Sequence, residues 1–391
     1  MAKPDKRTVC LLGPSRSGKS SLIRTMRQCL RLQSYGYQPG HIASIELKEI
    51  DKDDFDDGLP DSDGRILTRF PVGKHASEEK AFLEREGGLE LPSYADDGPI
   101  KYYFSLQCTM APPQEGGPQS DAEIYLLQVV DAAGELSTAS GPHDEALEYQ
   151  LDEGRSDFDD ILRETDGVIL VVPPADGHPE DWATHVLDAL HKLAQHRPRR
   201  LQQIVVVFSQ YDRLFTRCGK DAADIAVLQE TVLYSIQREY SARQWLRRFV
   251  ELPHKVPGLQ IYFTVASALG FVIGFGNPNI DPNVDIKSRA RFRTTNSNGA
   301  EAAPLWRPFL TLDPFVLATT GYPSAYAFSL KEVAGIRDEP PEEPIFTDEP
   351  ASSGDGKVPP MDEPDVEPQP APPRPSLISR LFGWFNAAGK S

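Results

Sequence analysis

A run of eight residues near the start of the chain, GPSRSGKS at residues 13–20, constrains the fold more than any other feature. It follows the apolar segment RTVCLLG and precedes a segment with helical spacing. The pattern G-x-x-x-x-G-K-[ST] between a buried strand and a helix is typical of a loop that holds a chain of phosphates. Its glycines let backbone N–H groups converge on an anion, and the helix N-terminus adds positive potential. The sequence therefore predicts a strand, a phosphate loop and a helix over residues 7–30.

The loop supplies a set of predicted nucleotide contacts. Lys19 is expected to reach the β- and γ-phosphates, and Ser20 is expected to hold Mg²⁺. Arg16 is either a catalytic arginine acting on the transferred phosphate, or a solvent-facing loop residue or partner contact. The predicted contacts in this loop are Gly13, Ser15, Arg16, Ser17, Gly18, Lys19, Ser20 and Ser21.

Apolar segments alternate with amphipathic helical segments along the chain as far as residue 267. The predicted strands are residues 7–13, 100–108, 123–131, 167–176, 202–210 and 259–267, and the predicted helical regions are 19–30, 179–196 and 222–251. Four of the strands are almost continuous Val, Ile, Leu and Phe, which is typical of strands covered on both faces. The pattern predicts an α/β fold, a P-loop NTPase three-layer sandwich with a mostly parallel sheet.

The net charge of −17 over 391 residues is unevenly distributed. Residues 338–373 contain eleven acidic residues, eleven prolines and one lysine, and so account for −10 of that charge. Such a segment cannot bury enough apolar surface to offset its ordering entropy, so we expect a disordered, extended linker. The rest of the chain is mildly acidic, and we expect no binding to nucleic acid.

The chain has no run of eighteen apolar residues, and residues 1–7 are charged, without the apolar core of a signal peptide. Its four cysteines are scattered without CxxC pairs, and we expect all of them to be thiols. These features predict a cytoplasmic protein.

Three further strands end in polar residues. The strand at 123–131 ends in Asp131-Ala-Ala-Gly134, the strand at 202–210 leads into Ser209-Gln210-Tyr211-Asp212, and the last leads into Ser267-Ala268-Leu269. Each segment taken alone also fits an ordinary strand-to-turn junction. Their order after the phosphate loop favours a functional interpretation.

The order of these segments resembles the TRAFAC class of P-loop GTPases over roughly residues 7–270. The segments ELPSYADDGPIKYYFSL and LWRPFLTLDPFVL make the chain most similar to the divergent double-GTPase type proteins of bacterial GTPase-associated conflict and defence systems. The resemblance implies a Ras-like G domain with insertions that binds GTP or GDP with Mg²⁺.

The resemblance also implies roles for individual residues. Asp131 would hold a Mg²⁺ water and the Gly134 N–H would meet the γ-phosphate. Asp212 would accept the two N–H donors on the guanine edge, and Ser267 and Ala268 would support the base. The chain departs from the [NT]-K-x-D pattern at Ser209 and Gln210, which puts strict GTP selectivity in doubt.

The resemblance also implies a switch residue and a residue that orients the attacking water. Ser93 is the nearest match to the switch threonine that caps Mg²⁺, with Thr68 as the rival. Glu135 occupies the position where the family places a water-orienting glutamine. A glutamate there would repel the γ-phosphate, so we expect slow intrinsic hydrolysis.

The sequence divides into three predicted parts. Residues 1–335 form an extended G domain with an insertion at 31–99 and a C-terminal extension at 271–335 that packs back on the sheet. Within the insertion, the aspartate-rich residues 51–63 are expected to be a solvated loop or an acidic partner-facing patch. Residues 336–373 form the acidic, proline-rich linker. Residues 374–391 form an amphipathic helix that docks on a partner, on the G domain itself or, less favoured, on a membrane.

These patterns predict a GTP-binding molecular switch that acts through effector or activating proteins bound at the switch region and the terminal helix. Two alternatives stay open at this stage. One is an ATP-binding P-loop protein such as a kinase or an assembly ATPase. The other is a pseudo-GTPase scaffold that works through its C-terminal tail.

Overall fold

A computed structural model describes residues 4–14, 17–31, 42–58, 100–110, 122–131, 163–174, 183, 186–188, 190–191, 201–272, 274–279 and 306–335. The strands are β1 (Asp5–Leu12), β2 (Ile42–Glu49), β3 (Ile100–Met110), β4 (Ala122–Asp131), β5 (Gly167–Val172), β6 (Gln203–Phe208), β7 (Gln260–Val265), β8 (Ser267–Val272), β9 (Trp306–Phe309) and β10 (Phe328–Ser329). The α-helices are α1 (Lys19–Arg31), α2 (Lys52–Asp57), α3 (Ala222–Ala226), α4 (Gln229–Ala242), α5 (Leu252–Lys255), α6 (Asp313–Thr320) and α7 (Leu330–Ala334). No helix in these ranges is long and apolar enough to cross a membrane.

Within the described ranges, eight strands form one sheet in the order β10-β7-β6-β5-β1-β4-β3-β2. Strands β7, β6, β5, β1 and β4 are parallel to one another, whereas β3, β2 and β10 pair antiparallel with their neighbours. The six strands from β7 to β3 have the order and directions of the predicted Ras-like G domain, and β10 and β2 extend the sheet at its edges. The prediction of a mostly parallel α/β sandwich is confirmed.

The central strands are buried because helices cover both faces of the sheet. Strands β5 and β6 are buried at every residue, as their continuous apolar sequences predict. One face packs against α1 and α6 through Leu22, Ile23, Met26, Phe315, Val316 and Ala318. On the other face, Tyr240 of α4 packs edge-on against Phe263 of β7 at 5.6 Å between ring centroids.

The last described part of the chain returns to the sheet. Strand β9 pairs antiparallel with β8, and α6 then packs along β1, β5 and β6. The contact of α6 with β5 is close: a Cβ on Gly167 would lie 2.4 Å from the Ala318 carbonyl oxygen. Glycine at this position allows α6 to lie directly on the sheet.

The structure corrects two expectations. Residues Lys52–Asp57 form a short helix within the segment predicted to be a solvated loop or an acidic partner-facing patch. Asp53 and Asp54 lie in its first turn, where negative charge is favourable, and Phe55 packs on the Tyr103 ring at 5.2 Å. This helix follows β2, a strand that the sequence analysis did not predict.

The second correction concerns residues 222–251, which do not form one continuous helical region. They divide into α3, α4 and a 3₁₀ segment at Gln244–Glu251. The break falls at Arg243, whose backbone is extended and whose buried guanidinium donates a 2.7 Å hydrogen bond to the Pro173 carbonyl oxygen. A tertiary contact of a buried cation therefore overrides local helix propensity here.

Candidate nucleotide site

Gly13 and Gly18, the two glycines of the loop after β1, have the backbone geometry that a phosphate loop needs. Gly13 has φ +146° and Gly18 has φ +96°, both in the region that residues other than glycine rarely adopt. A Cβ on Gly13 would also lie 2.4 Å from the Val171 carbonyl oxygen of β5. Helix α1 begins at Lys19, immediately after the loop, so its N-terminal N–H groups lie at the end of β1.

Lys19 is folded back over this loop. Its ammonium donates hydrogen bonds to the carbonyl oxygens of Gly13, at 2.9 Å, and Pro14, at 3.2 Å. Only 7% of the residue is exposed. Burial lowers the pKa of Lys19, and the negative charge of Asp131 acts in the opposite direction. A desolvated cation at this position is suited to bind phosphate oxygens.

Ser20 and Asp131 lie together although they are far apart in sequence. The Ser20 hydroxyl donates a 2.6 Å hydrogen bond to Oδ2 of Asp131, and both side chains are buried. The contact arises because β1 and β4 are parallel neighbours whose carboxyl ends meet at one edge of the sheet. A hydroxyl and a carboxylate are the oxygen donors that Mg²⁺ takes from proteins when phosphates complete its shell. These two residues therefore fit a Mg²⁺ ion.

Ser209 links the end of β6 to the phosphate loop. Its hydroxyl donates to the Ser17 carbonyl oxygen at 2.7 Å, and lies 3.3 Å from the Val172 carbonyl oxygen. Ser17 is fully buried, and its Oγ has no hydrogen-bond partner within the described part of the chain. Serine at the Asn/Thr position of the [NT]-K-x-D pattern thus makes a polar contact with the loop.

Asp212 and Ser267 form a second pair at the same edge of the sheet. Asp212 is 1% exposed, and the Ser267 hydroxyl lies near enough to its carboxylate to favour the ionised form. Its Oδ2 atom has no hydrogen-bond partner among the residues that the structure describes. Burial raises the pKa of Asp212 to about 6, against the opposing effect of the nearby Ser267 hydroxyl. A buried acceptor atom without a donor marks a position where a ligand N–H would be stabilising.

Two of the other predicted site residues lie within the described ranges. Ser21 and Ala268 are partly buried, Ser21 in the first turn of α1 and Ala268 in β8. Ser15, Arg16, Ser93, Thr68, Gly134 and Glu135 lie outside the described residues, as do most of the insertion at 31–99, the linker and the terminal helix. The assignments on those residues stay predictions.

The structure adds residues that the sequence analysis did not assign to the site. Gln210 adopts φ +58°, and its side-chain oxygen accepts a 3.1 Å hydrogen bond from Arg213. The ring of Tyr211 stacks on Phe309 of β9, at 5.5 Å between centroids. No sequence signal connects Phe309 with this site, because its strand pairing bridges a long stretch of intervening chain.

The comparisons with known proteins find matches among solved structures alone. No protein-family model and no curated protein sequence matches the chain. The G domain of the FeoB iron transporter of T. maritima aligns at 12% identity and a TM-score of 0.23, covering 67% of this chain and 88% of that one. Roco2 RocCORdC of Methanosarcina barkeri, bound to GDP, aligns at 11% identity and a TM-score of 0.24, covering 68% of this chain and 45% of that one. Because both TM-scores are low, the G-domain fold is assigned from the strand order and phosphate loop of the chain itself.

Proposed function

We propose that this chain is a GTP-binding molecular switch that uses Mg²⁺ and hydrolyses GTP slowly, or only when a partner stimulates it. The observation that carries the proposal is Asp212, a carboxylate buried at the same sheet edge as the phosphate loop, with one oxygen lacking a donor within the described ranges. Guanine presents two adjacent N–H donors, which satisfy such a carboxylate. Adenine presents no such pair, so Asp212 favours GTP and GDP over ATP and ADP.

The ionisation of Asp212 suits this role. Because its pKa is raised only to about 6, most of the carboxylate is ionised at pH 7 and accepts hydrogen bonds at both oxygens. Hydrogen bonds to a charged acceptor contribute more than neutral ones, on the order of 1.5–3 kcal/mol each. The cost of burying this carboxylate is therefore offset when guanine binds.

The phosphate half of the site has a separate task. In the proposed complex the loop N–H groups and Lys19 would bind the phosphate oxygens, and Ser20 and Asp131 would hold Mg²⁺. The ion neutralises charge on the β- and γ-phosphates when bound. The Ser209 hydrogen bond to the Ser17 carbonyl keeps this half in register with the base half.

The regulatory part of the proposal comes from residues outside the described ranges. Gly134 follows Asp131 and would meet the γ-phosphate, so the turn after β4 would respond to hydrolysis together with Ser93 or Thr68 in the insertion. Glu135 is a poor substitute for a water-orienting glutamine, which makes turnover slow, and Arg16 is the candidate for stabilising charge on the transferred phosphate. A slow enzyme whose loops depend on the γ-phosphate acts as a switch.

The proposal extends to the location, the class and the partners of the chain. We place the chain in the cytoplasm and in the TRAFAC class, near the divergent double-GTPase type proteins of bacterial conflict systems. Effector or activating proteins would bind the switch region and the helix at 374–391. The acidic linker would tether that helix to the G domain.

Calorimetric titration of the whole chain with GDP, a non-hydrolysable GTP analogue and ADP, each with Mg²⁺, tests the proposal. We expect guanine nucleotides to bind at least tenfold more tightly than ADP and Lys19→Ala to abolish binding. Asp212→Asn should weaken GDP binding about 10–100-fold and improve binding of xanthosine diphosphate, since the asparagine amide donates to the 2-carbonyl of xanthine. Asp313→Asn is the matched control, because Asp313 is equally buried but lies in α6.

Two results would contradict the proposal. Equal binding of ADP and GDP that Asp212→Asn leaves unchanged would favour an ATP-binding protein. Binding of neither nucleotide by a folded chain would favour a scaffold that works through its tail. Hydrolysis is measured separately as phosphate release. Rapid GTP hydrolysis by the chain alone, without a partner, would contradict the part of the proposal that rests on Glu135.

A further inference from the structure

An aromatic stack lies directly behind the base-recognition segment. The rings of Tyr211 and Phe309 are nearly parallel, with 5.5 Å between centroids and 20° between planes. Tyr211 immediately precedes Asp212, and both rings are almost completely buried. Phe215, Phe271 and Tyr326 surround the stack with tilted or edge-on contacts. Phe309 therefore contacts the segment that carries the guanine-recognising carboxylate.

Phe309 reaches the same carboxylate by a second route through the backbone. In the β8–β9 pair, Phe309 is the partner of Ser267, and the Ser267 hydroxyl lies near enough to the Asp212 carboxylate to lower its pKa. One residue of β9 thus supports Asp212 on both sides, by its ring through Tyr211 and by its backbone through Ser267.

The far side of the Tyr211 ring is also fixed. Its hydroxyl donates to the Ala226 carbonyl oxygen of α3 at 3.2 Å. Tyr211 is held between α3 and β9, so its ring has little freedom to move unless Phe309 moves.

Backbone strain is concentrated at the two ends of this stack. Among the described residues, Gln210 at φ +58° and Leu310 at φ +51° are the two non-glycine residues with positive φ. Gln210 immediately precedes Tyr211, and Leu310 immediately follows Phe309. Left-handed conformations of such residues cost about 1–3 kcal/mol and persist where surrounding contacts hold them. The packing of the stack supplies those contacts.

We infer that Phe309 is a positioning residue for base recognition, which holds Asp212 in the orientation that accepts the two N–H donors of guanine. The inference rests on the proposed function and adds β9, a strand from the C-terminal extension, to the base site. It makes the extension a part of nucleotide selectivity. A change at β9 is then expected to alter the choice of base more than the binding of phosphate.

The stack also controls the environment of the carboxylate. Burial is the main cause of the raised pKa of Asp212, and Arg213, the charged neighbour that acts on it, lies in the same 3₁₀ turn. Removing the Phe309 ring leaves Arg213 in place but loosens the packing behind Asp212 and admits water. The pKa of Asp212 should then fall towards its ordinary value.

The test compares Phe309→Ala and the more conservative Phe309→Leu with the matched control Phe249→Ala. Phe249 is fully buried in the 3₁₀ segment at Gln244–Glu251, where it packs on Trp245. The first readout is the titration of the Asp212 carboxyl by carbon-13 NMR in the nucleotide-free full chain, assigned with Asp212→Asn. The second is the affinity ratio of GDP to inosine diphosphate, which lacks the 2-amino donor.

We expect the titration midpoint of Asp212 to fall by about one pH unit or more in Phe309→Ala, by less in Phe309→Leu, and not at all in Phe249→Ala. The GDP-to-inosine diphosphate ratio should fall about tenfold in Phe309→Ala, because the second hydrogen bond is lost. An unchanged midpoint in Phe309→Ala, or an equal shift in Phe249→Ala, overturns the inference. If Phe309→Ala does not fold, an unchanged midpoint in Phe309→Leu overturns it.

The two readouts separate this inference from the proposed function. Failure of the wild-type chain to bind GDP rejects the proposed function, while the nucleotide-free titration still decides whether Phe309 controls the carboxylate. A shifted midpoint with an unchanged nucleotide ratio overturns the role of Phe309 in base choice.

Discussion

The Ser209 hydroxyl donates a hydrogen bond of 2.7 Å to the carbonyl oxygen of Ser17. This contact joins the segment that carries Asp212 to the loop that carries Lys19. Both residues are buried, so the bond is shielded from water. It fixes the distance between the phosphate half and the base half of the site.

Replacing Ser209 with alanine should therefore weaken nucleotide binding without unfolding the chain. The Ser17 carbonyl loses a buried donor, and we expect GDP affinity to fall about tenfold. Ser209→Thr keeps the hydroxyl and should bind GDP as the wild-type chain does. Thr319→Ala, which removes a buried hydroxyl that donates to the Phe315 carbonyl of α6, is the control for calorimetric titration. Equal losses of GDP affinity in Ser209→Ala and Thr319→Ala would mean that the Ser209 contact with the loop contributes no more to binding than another buried hydroxyl.

Lys19→Met should weaken GDP binding strongly but leave the stability of the chain nearly unchanged. Burial lowers the pKa of Lys19, so the folded state carries a desolvation cost that methionine removes. The loss of two hydrogen bonds to loop carbonyls acts in the other direction. We expect the free energy of unfolding, measured in urea, to stay within about 1 kcal/mol of the wild-type value. Affinity for GDP should fall more than about 100-fold, and a variant that binds GDP normally would contradict the assignment of this lysine.

Much of the site could be predicted from the sequence because parallel strands bring their carboxyl ends to one edge. Ser20 and Asp131 follow neighbouring parallel strands, and their contact needs no further information. The same argument places Asp212 near Ser267, since β6 and β7 are parallel neighbours. Strand-end motifs in a parallel sheet therefore carry positional information as well as chemical information.

Other parts could not be predicted, and the reasons are physical. Strand β2 pairs antiparallel at the sheet edge, where the signal is only the alternation of Ile45 and Leu47 with Glu46 and Lys48. Phe309 pairs with Ser267 across an intervening segment, and neither residue alone indicates the other. Long-range antiparallel pairing leaves no periodic pattern that links its two strands.

Guanine binding should depend on pH through Asp212. The pKa of this carboxyl in the nucleotide-free chain is about 6, and guanine donors bind its ionised form. Below pH 6 binding must therefore release a proton, so GDP affinity should be about fourfold lower at pH 5.5 than at pH 8. Above pH 6 the affinity should be constant. Titrations of wild-type and Asp212→Asn chains between pH 5.5 and 8 check this, since phosphate protonation affects both equally, and parallel curves would contradict the role of Asp212.

Two glycine substitutions should differ in their cost to stability. Gly13→Ala combines an unfavourable φ with a Cβ 2.4 Å from the Val171 carbonyl oxygen, and should lower the free energy of unfolding by roughly 3 kcal/mol. Gly258 has φ +87° in an exposed turn with nothing within 4 Å of its Cβ position, so Gly258→Ala should cost about 1 kcal/mol. Urea unfolding of both variants measures the difference. Equal costs would mean that the loop can move away from β5.

Asp313 should make the stability of the chain depend on pH. It is 2% exposed at the start of α6, and burial raises its pKa to about 7, against the effect of a hydrogen bond with Ser324. A pKa that is higher in the folded state contributes stability that is complete below the unfolded value of 3.8 and is lost as the pH rises through 7. Between pH 5.5 and 8 this carboxyl alone should lower the free energy of unfolding by about 2 kcal/mol.

Asp313→Asn removes the ionisation but keeps an oxygen that can accept the Ser324 hydrogen bond. The variant should lose that part of the pH dependence and be more stable than the wild-type chain at both pH values, by about 2 kcal/mol more at pH 8 than at pH 5.5. Urea unfolding at the two pH values measures both quantities, and charge repulsion across the acidic chain affects the two proteins almost equally. If the variant loses as much stability as the wild-type chain between pH 5.5 and 8, Asp313 is not the carboxyl that titrates. In that case Asp212, with a pKa nearer 6, is the remaining buried carboxyl with a raised pKa among the described residues.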